Sequence, residues 1–110
     1  MITDKIRVVL ADDHTLFRHG MKTLISAEGD MEVTGEAANG AEAVTAVQQS
    51  NPAVVLLDIG MAGMSSCEAM RQIRKYTSET KIVLLTMYDD EDYLVEALQM
   101  RASGYVLKVR

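Results

Sequence analysis

The stretch Val54-Val55-Leu56-Leu57-Asp58 runs four apolar residues straight into one carboxylate. An unbroken apolar run of this length reads as a strand buried on both faces, the pattern of a parallel sheet covered by helices on both sides. Asp58 ends the run, and Ile59-Gly60-Met61-Ala62-Gly63-Met64 follows as a loop. Open α/β sheets bind ligands in the crevice beyond the C-terminal strand ends, so a carboxylate held there is a candidate functional group.

The flanking segments fit that sheet. Ile6-Arg7-Val8-Val9-Leu10-Ala11 is β-branched-rich and reads as a first strand ending in Asp12-Asp13. Adjacent acids at a strand end suit either a helix start or a working site, and the pair alone leaves both open. Thr15 to Ala27 carries Leu16, Phe17, Met21, Leu24 and Ile25 as a helical stripe, and Gly29-Asp30 breaks it. His14 and His19 flank this helix without a partner at metal-ligand spacing and read as surface residues. Met31 to Ala37 alternates and suits an exposed edge strand. Asn39 and Glu42 form a capping box for a second helix, which Ser50-Asn51-Pro52 stops. Ser65 and Glu68 cap a third helix running to about Lys75, with Cys67, Met70 and Ile73 predicted inward. Lys81-Ile82-Val83-Leu84-Leu85-Thr86 reads as a fourth strand, Glu91 to Arg101 as a fourth helix and Tyr105-Val106-Leu107-Lys108 as a fifth strand.

The order βαβαβαβαβ implies one α/β domain over residues 1–110, a parallel sheet with helices on both faces. A chain of 110 residues supplies one such domain and not two. Its net charge of −5 argues against this segment gripping nucleic acid by itself. A single cysteine, Cys67, allows no internal disulfide and fits a reduced, cytoplasmic setting. No apolar stretch is long enough to span a membrane, and the N-terminus lacks the features of a signal peptide.

In a parallel sheet all C-terminal strand ends share one side. Here they carry Asp12 and Asp13, Asp58, Thr86 and Lys108; only the second strand adds no charge or hydroxyl. Three gathered carboxylates repel, and a divalent cation relieves that; hard oxygen donors suit Mg2+. A lysine holds an anion and a threonine hydroxyl donates to one more oxygen. Together these are the parts for phosphoryl transfer to an aspartate.

On Ala11-Asp12-Asp13-His14, Leu56-Leu57-Asp58-Ile59, Leu84-Leu85-Thr86 and Gly104-Tyr105-Val106-Leu107-Lys108, the sequence resembles the receiver domain of two-component response regulators over essentially its whole length. The first and last of these segments look most like the NarL/FixJ branch, in which a LuxR-type helix-turn-helix DNA-binding domain normally follows. The resemblance implies a flavodoxin-like (CheY-like) doubly wound five-stranded sheet of order 2-1-3-4-5. It implies a phosphoacceptor rather than an enzyme acting on other substrates. Asp58 would accept a phosphoryl group from a sensor histidine kinase. Asp13, Asp58 and the backbone carbonyl of Gly60 would bind Mg2+ directly, with Asp12 acting through water. Lys108 would pair with the phosphoryl group, Thr86 would shift toward it, and Tyr105 would turn into the space that Thr86 leaves. Tyr88 stands where the family tunes water access.

The sequence departs from the family pattern in three places. Ala62-Gly63 follows Met61 where proline then glycine is usual, and Ser66 stands at a usual glycine. The fifth helix, which normally packs beside the first, is absent, as is an output domain. The first helix would then cover one sheet face alone, and self-association is expected to cover the remainder. Three other functions compete. A haloacid-dehalogenase-type phosphatase needs a second aspartate where Gly60 stands. A dinucleotide-binding domain needs a Gly-rich turn where Asp12-Asp13-His14 stands. A single-domain receiver acting only through protein binding is the nearest alternative to a transcription regulator.

Overall fold

The computed structural model describes residues 5–61, 63–86 and 102–107, with the backbone alone at Tyr105 and Leu107. Five parallel strands form one sheet of order β2-β1-β3-β4-β5. They are β1 (Ile6–Ala11), β2 (Met31–Ala37), β3 (Val54–Asp58), β4 (Lys81–Thr86) and β5 (Gly104–Leu107), joined among the described residues by α1 (Thr15–Ala27), α2 (Gly40–Ser50) and α3 (Ser66–Tyr76). This is the CheY-like architecture expected. The helix expected at Glu91 to Arg101 lies outside the described residues. The last strand begins at Gly104, one residue before its expected start, because Ser103 already bonds to Ile82 through both its N–H and its hydroxyl.

The chain first steps from β1 to β2, then reverses across β1 to β3 and continues to β4. Crossovers of one hand must change face when the direction of travel reverses. Accordingly α1 lies on one face and α2 with α3 on the other. Alternate residues of β1 serve the two faces: Val8 and Leu10 pack with Ile25 of α1, whereas Val9 and Ala11 join the core under α2 and α3. That second core holds Val47, Val55, Leu57, Met70, Ile73, Ile82 and Leu84 at full burial or close to it. The β3 run is thus apolar throughout because its side chains enter both cores: Val54 and Leu56 pack on the α1 side, Val55 and Leu57 on the other.

Caps fix the helix starts. The Asn39 side chain accepts from the Glu42 N–H at 2.8 Å, and Glu42 Oε1 accepts from the Ala38 N–H at 2.8 Å. The Ser65 hydroxyl accepts from Glu68 N–H at 3.1 Å. Asn51 closes α2 in a left-handed conformation, φ 46°, a geometry that asparagine tolerates better than most residues. Gly40 begins α2 where a Cβ would stand 3.0 Å from the Met64 carbonyl oxygen, so the absent side chain lets the β3–α3 loop lie against that helix start. In α3, Met70 and Ile73 are buried as expected, and the partly buried Cys67 packs against the same core.

Helix α1 differs from its sequence pattern. Leu16 is 88% exposed and Leu24 67%, while Ile25 is buried and Phe17 and Met21 are half-buried. At about 100° per residue, Leu16 and Leu24 fall on the flank away from Met21 and Ile25. The apolar stripe is wider than the strip of sheet that α1 covers.

Candidate functional site

The site forms where the strand order reverses, between β1 and β3. These strands pair in register, Leu10 with Leu56 and Ala11 with Leu57, so the next residues, Asp12 and Asp58, emerge side by side. Both are almost fully buried, at 2% and 4% exposure. Asp12 is held from three directions. Its N–H donates to the Ala37 carbonyl at 2.9 Å, continuing the β1–β2 ladder. Its carbonyl accepts from the Arg18 guanidinium, and its Oδ1 accepts from the His14 N–H at 2.8 Å. The last bond is a local turn that reverses the chain into α1. Asp58 makes the equivalent turn, its Oδ1 accepting from the Gly60 N–H at 3.1 Å, while the Ile59 N–H reaches Leu85 of β4.

One oxygen from each of Asp12, Asp13 and Asp58, with one ring nitrogen of His14, lie within 4.8 Å of one another. Oδ2 of Asp12 and of Asp58 are buried atoms. Asp13, whose side chain is 37% exposed, sits at the mouth. Such a donor set can hold a divalent cation, because three anionic groups at this spacing repel one another in a partly desolvated crevice.

His14 is exposed, as expected, but it also belongs to this site, which corrects the reading that it has no partner at metal-ligand spacing. Its side chain is 60% exposed, yet Nδ1 stands 3.1 Å from Asp12 Oδ1, 3.4 Å from Asp13 Oδ1 and 3.9 Å from Asp58 Oδ2. The signal was present in the sequence: in Asp12-Asp13-His14, a side chain that turns back on the N–H two residues later brings residues i and i+2 together. His19 is exposed on α1 and takes no part in the cluster.

Arg18 and Glu36 brace the loop from outside. Arg18 Nε donates to Glu36 Oε1 at 3.1 Å, and Lys22 Nζ to Glu36 Oε2 at 2.9 Å. The hydrogen bond from Lys22, with a smaller contribution from Arg18, holds the Glu36 carboxyl below its ordinary range against the opposing effect of burial. Arg18 thereby ties α1 both to β2 and to the backbone of Asp12.

Among the other expected site residues, Thr86 ends β4 and is completely buried. Gly60 stands in the loop after β3. Tyr105 lies in β5, paired with Leu84, and Leu107 pairs with Thr86. Lys108 and Tyr88 lie outside the described residues. A separate cavity of about 520 Å³, lined by Lys5, Arg7, Pro52, Thr80 and Lys81 among others, opens at the strand starts, the opposite edge from the acids.

A doubly wound sheet with a buried aspartate at its switch point narrows the class, and comparison with known proteins settles it. Residues 8–109 match the response regulator receiver domain. The chain belongs to that family. It is 44% identical to the transcriptional regulatory protein YxjL of Bacillus subtilis, covering 98% of this chain and 50% of that one. It is 42% identical to the oxygen regulatory protein NreC of Staphylococcus carnosus, covering 94% and 48%. Among solved structures, a signal receiver domain from Mycobacterium tuberculosis assigned to NarL superposes with a TM-score of 0.92 at 37% identity, covering 98% of this chain and 87% of that one. The relatives are regulators of the NarL/DegU type, and this chain spans about half their length. Among the described residues no helix is long and apolar enough to cross a membrane.

Proposed function

We propose that this receiver is cytoplasmic, that a sensor histidine kinase phosphorylates it on Asp58, and that the modification switches a transcription regulator. The observation that carries the reading is the buried Asp58 carboxylate at the end of β3, within 4.8 Å of two further carboxylates on the adjoining loop.

In this reading an Asp58 oxygen attacks the phosphorus of a phosphohistidine. The phosphorus–nitrogen bond breaks, the imidazole nitrogen keeps the electron pair, and an acyl phosphate forms on Asp58. The Gly60 N–H on Oδ1 fixes the orientation of the nucleophile. Asp13, Asp58 and the Gly60 carbonyl would hold Mg2+, with Asp12 acting through water; their hard oxygen donors suit that ion. The bound ion supplies neutralisation of the charge gathered on the carboxylates and phosphoryl oxygens. Lys108 carries the positive charge that pairs with the phosphoryl group, and the Thr86 hydroxyl donates to one of its oxygens.

The new group adds roughly two negative charges and three acceptor oxygens, by analogy with other phospho-residues. Thr86 is completely buried, so its movement toward the phosphoryl group opens space that must be refilled; Tyr105 on the neighbouring strand fills it. The output is transcription, exerted through a C-terminal helix-turn-helix domain that contacts DNA. Self-association uses the outer flank of α1, where Leu16 and Leu24 are exposed.

The test is incubation of the folded chain with Mg2+ and acetyl phosphate, read by intact mass. Wild type gains one phosphoryl group and Asp58→Ala gains none. Equal labelling of both proteins contradicts the assignment.

A further inference from the structure

We propose that His14 is a nitrogen ligand of the cation site and gives it a preference for borderline divalent ions, Ni2+ and Co2+ among them, over Mg2+. The inference rests on the reading that the acid cluster holds a divalent cation, and deepens it by naming the class of ion.

The placement of the ring carries the argument. Nδ1 faces all three carboxylates, at 3.1, 3.4 and 3.9 Å, although most of the side chain is open to solvent. His14 is the N-cap residue of α1 but makes no side-chain capping bond, so the helix start does not account for the orientation of the ring. The ring is held by its own hydrogen bond, Nδ1 to Asp12 Oδ1 at 3.1 Å, and the backbone sets that bond up. The His14 N–H bonds Asp12 Oδ1, and α1 begins at the next residue. Arg18, one turn into α1, anchors the Asp12 carbonyl. The loop is therefore held at both ends with the imidazole nitrogen turned toward the acids.

The donor set is mixed: the imidazole joins the carboxylates of Asp13 and Asp58, with Asp12 beside them. Mg2+ favours an all-oxygen shell with several waters, whereas imidazole suits nickel, copper and zinc, and affinity at such sites rises along the series from manganese to copper. Ligands about 2.1 Å from one ion stand up to about 4.2 Å apart. Only opposite ligands reach that separation, and adjacent ones stand about 3.0–3.4 Å apart. Nδ1 is thus already at ligand spacing from the Asp12 and Asp13 oxygens at 3.1 and 3.4 Å, while the wider pairs, up to 4.8 Å, would close by about an ångström. An oxygen-only receiver site lacks this element of selectivity.

Isothermal titration of the folded chain with Ni2+ and, separately, with Mg2+ tests the proposal in wild type, His14→Ala, His14→Asn and Asp58→Asn. Both His14 variants keep the backbone N–H that makes the Asp12 turn, and asparagine also keeps a side-chain donor toward Asp12 Oδ1 while removing the imidazole. We expect both His14 variants to lose about tenfold or more in Ni2+ affinity, and less than about threefold in Mg2+ affinity. Pulsed electron paramagnetic resonance of the Mn2+-loaded protein is expected to show a nitrogen coupling that both variants lack. An unchanged Ni2+/Mg2+ ratio overturns the proposal. So does a gain in Mg2+ affinity without a loss for Ni2+, as expected if the ring only blocks the mouth, or Ni2+ binding indifferent to Asp58→Asn. Acetyl phosphate labelling run alongside separates the two readings. Labelling without a His14 effect removes this proposal alone, and a His14 effect without labelling removes only the phosphoacceptor reading.

Discussion

Replacing Asp13 by asparagine should stabilise the metal-free fold, and Mg2+ should reverse the order. Asp13 faces two carboxylates, Asp12 and Asp58, with ligand atoms no more than 4.8 Å apart. At 4.8 Å, one like-charge pair costs about 0.9 kcal/mol at the dielectric of water and about 3.5 kcal/mol at an effective dielectric of about 20. Asp13 is 37% exposed, which places its interactions toward the lower figure. Two pairs then amount to about 2 kcal/mol, from which screening subtracts. The expected gain for Asp13→Asn is about 1–2 kcal/mol at neutral pH and low salt, or roughly 4–10 °C in Tm for a domain of this size. Urea unfolding in chelator measures it. Mg2+ at about a hundred times its Kd should raise wild type by about 2.7 kcal/mol and the variant by much less. An Asp13→Asn variant less stable than wild type in chelator, or Mg2+ stabilising both equally, refutes the electrostatic argument.

Other outcomes follow from the same structure. Glu36 has a lowered carboxyl pKa, so its ion pairs stabilise the fold above the ordinary carboxylate range and lose that contribution as pH falls through the folded-state value. Glu36→Gln should therefore cost about 0.5–1 kcal/mol near pH 7 and nothing once wild-type Glu36 is protonated, read by urea melts across pH. The buried Thr80 hydroxyl donates to the Pro52 carbonyl at 2.9 Å, and Thr80→Val should cost about 1–2 kcal/mol in the same assay. Ile73→Ala empties fully buried space between α3 and the sheet and should cost about 2–5 kcal/mol. Leu24→Lys should weaken self-association in sedimentation while leaving the urea midpoint nearly unchanged, because Leu24 is already largely exposed.

The sheet was legible because its signals are local and reinforce one another. The β3 run and the β1 run are apolar on consecutive residues because each strand feeds both cores, and the ranges expected for β1 to β4 and α1 match those observed. The capping boxes at Asn39 and Ser65 fixed helix starts for the same reason. Burial along α1 was less legible. Periodicity shows an apolar arc but not how much of it a neighbour covers, so Leu16 and Leu24 belong to the stripe and yet are exposed. The strand ends showed that Asp12, Asp13 and Asp58 share one edge. The Asp12–His14 turn had a local signal that strand-end reasoning passed over, whereas the bracing of that turn by Arg18 and Glu36 across 18 residues had none. Those contacts depend on how α1 leaves the sheet, which is a property of the assembled fold.

Asp58, and not its acidic neighbours, is expected to take the phosphoryl group. Borohydride reduction of the acetyl phosphate-treated chain converts an acyl-phosphorylated aspartate to homoserine, and peptide mass mapping then locates it. Homoserine is expected at position 58 alone, dependent on Mg2+; homoserine at position 12 or 13, or none in the folded, Mg2+-loaded chain, overturns the assignment of Asp58.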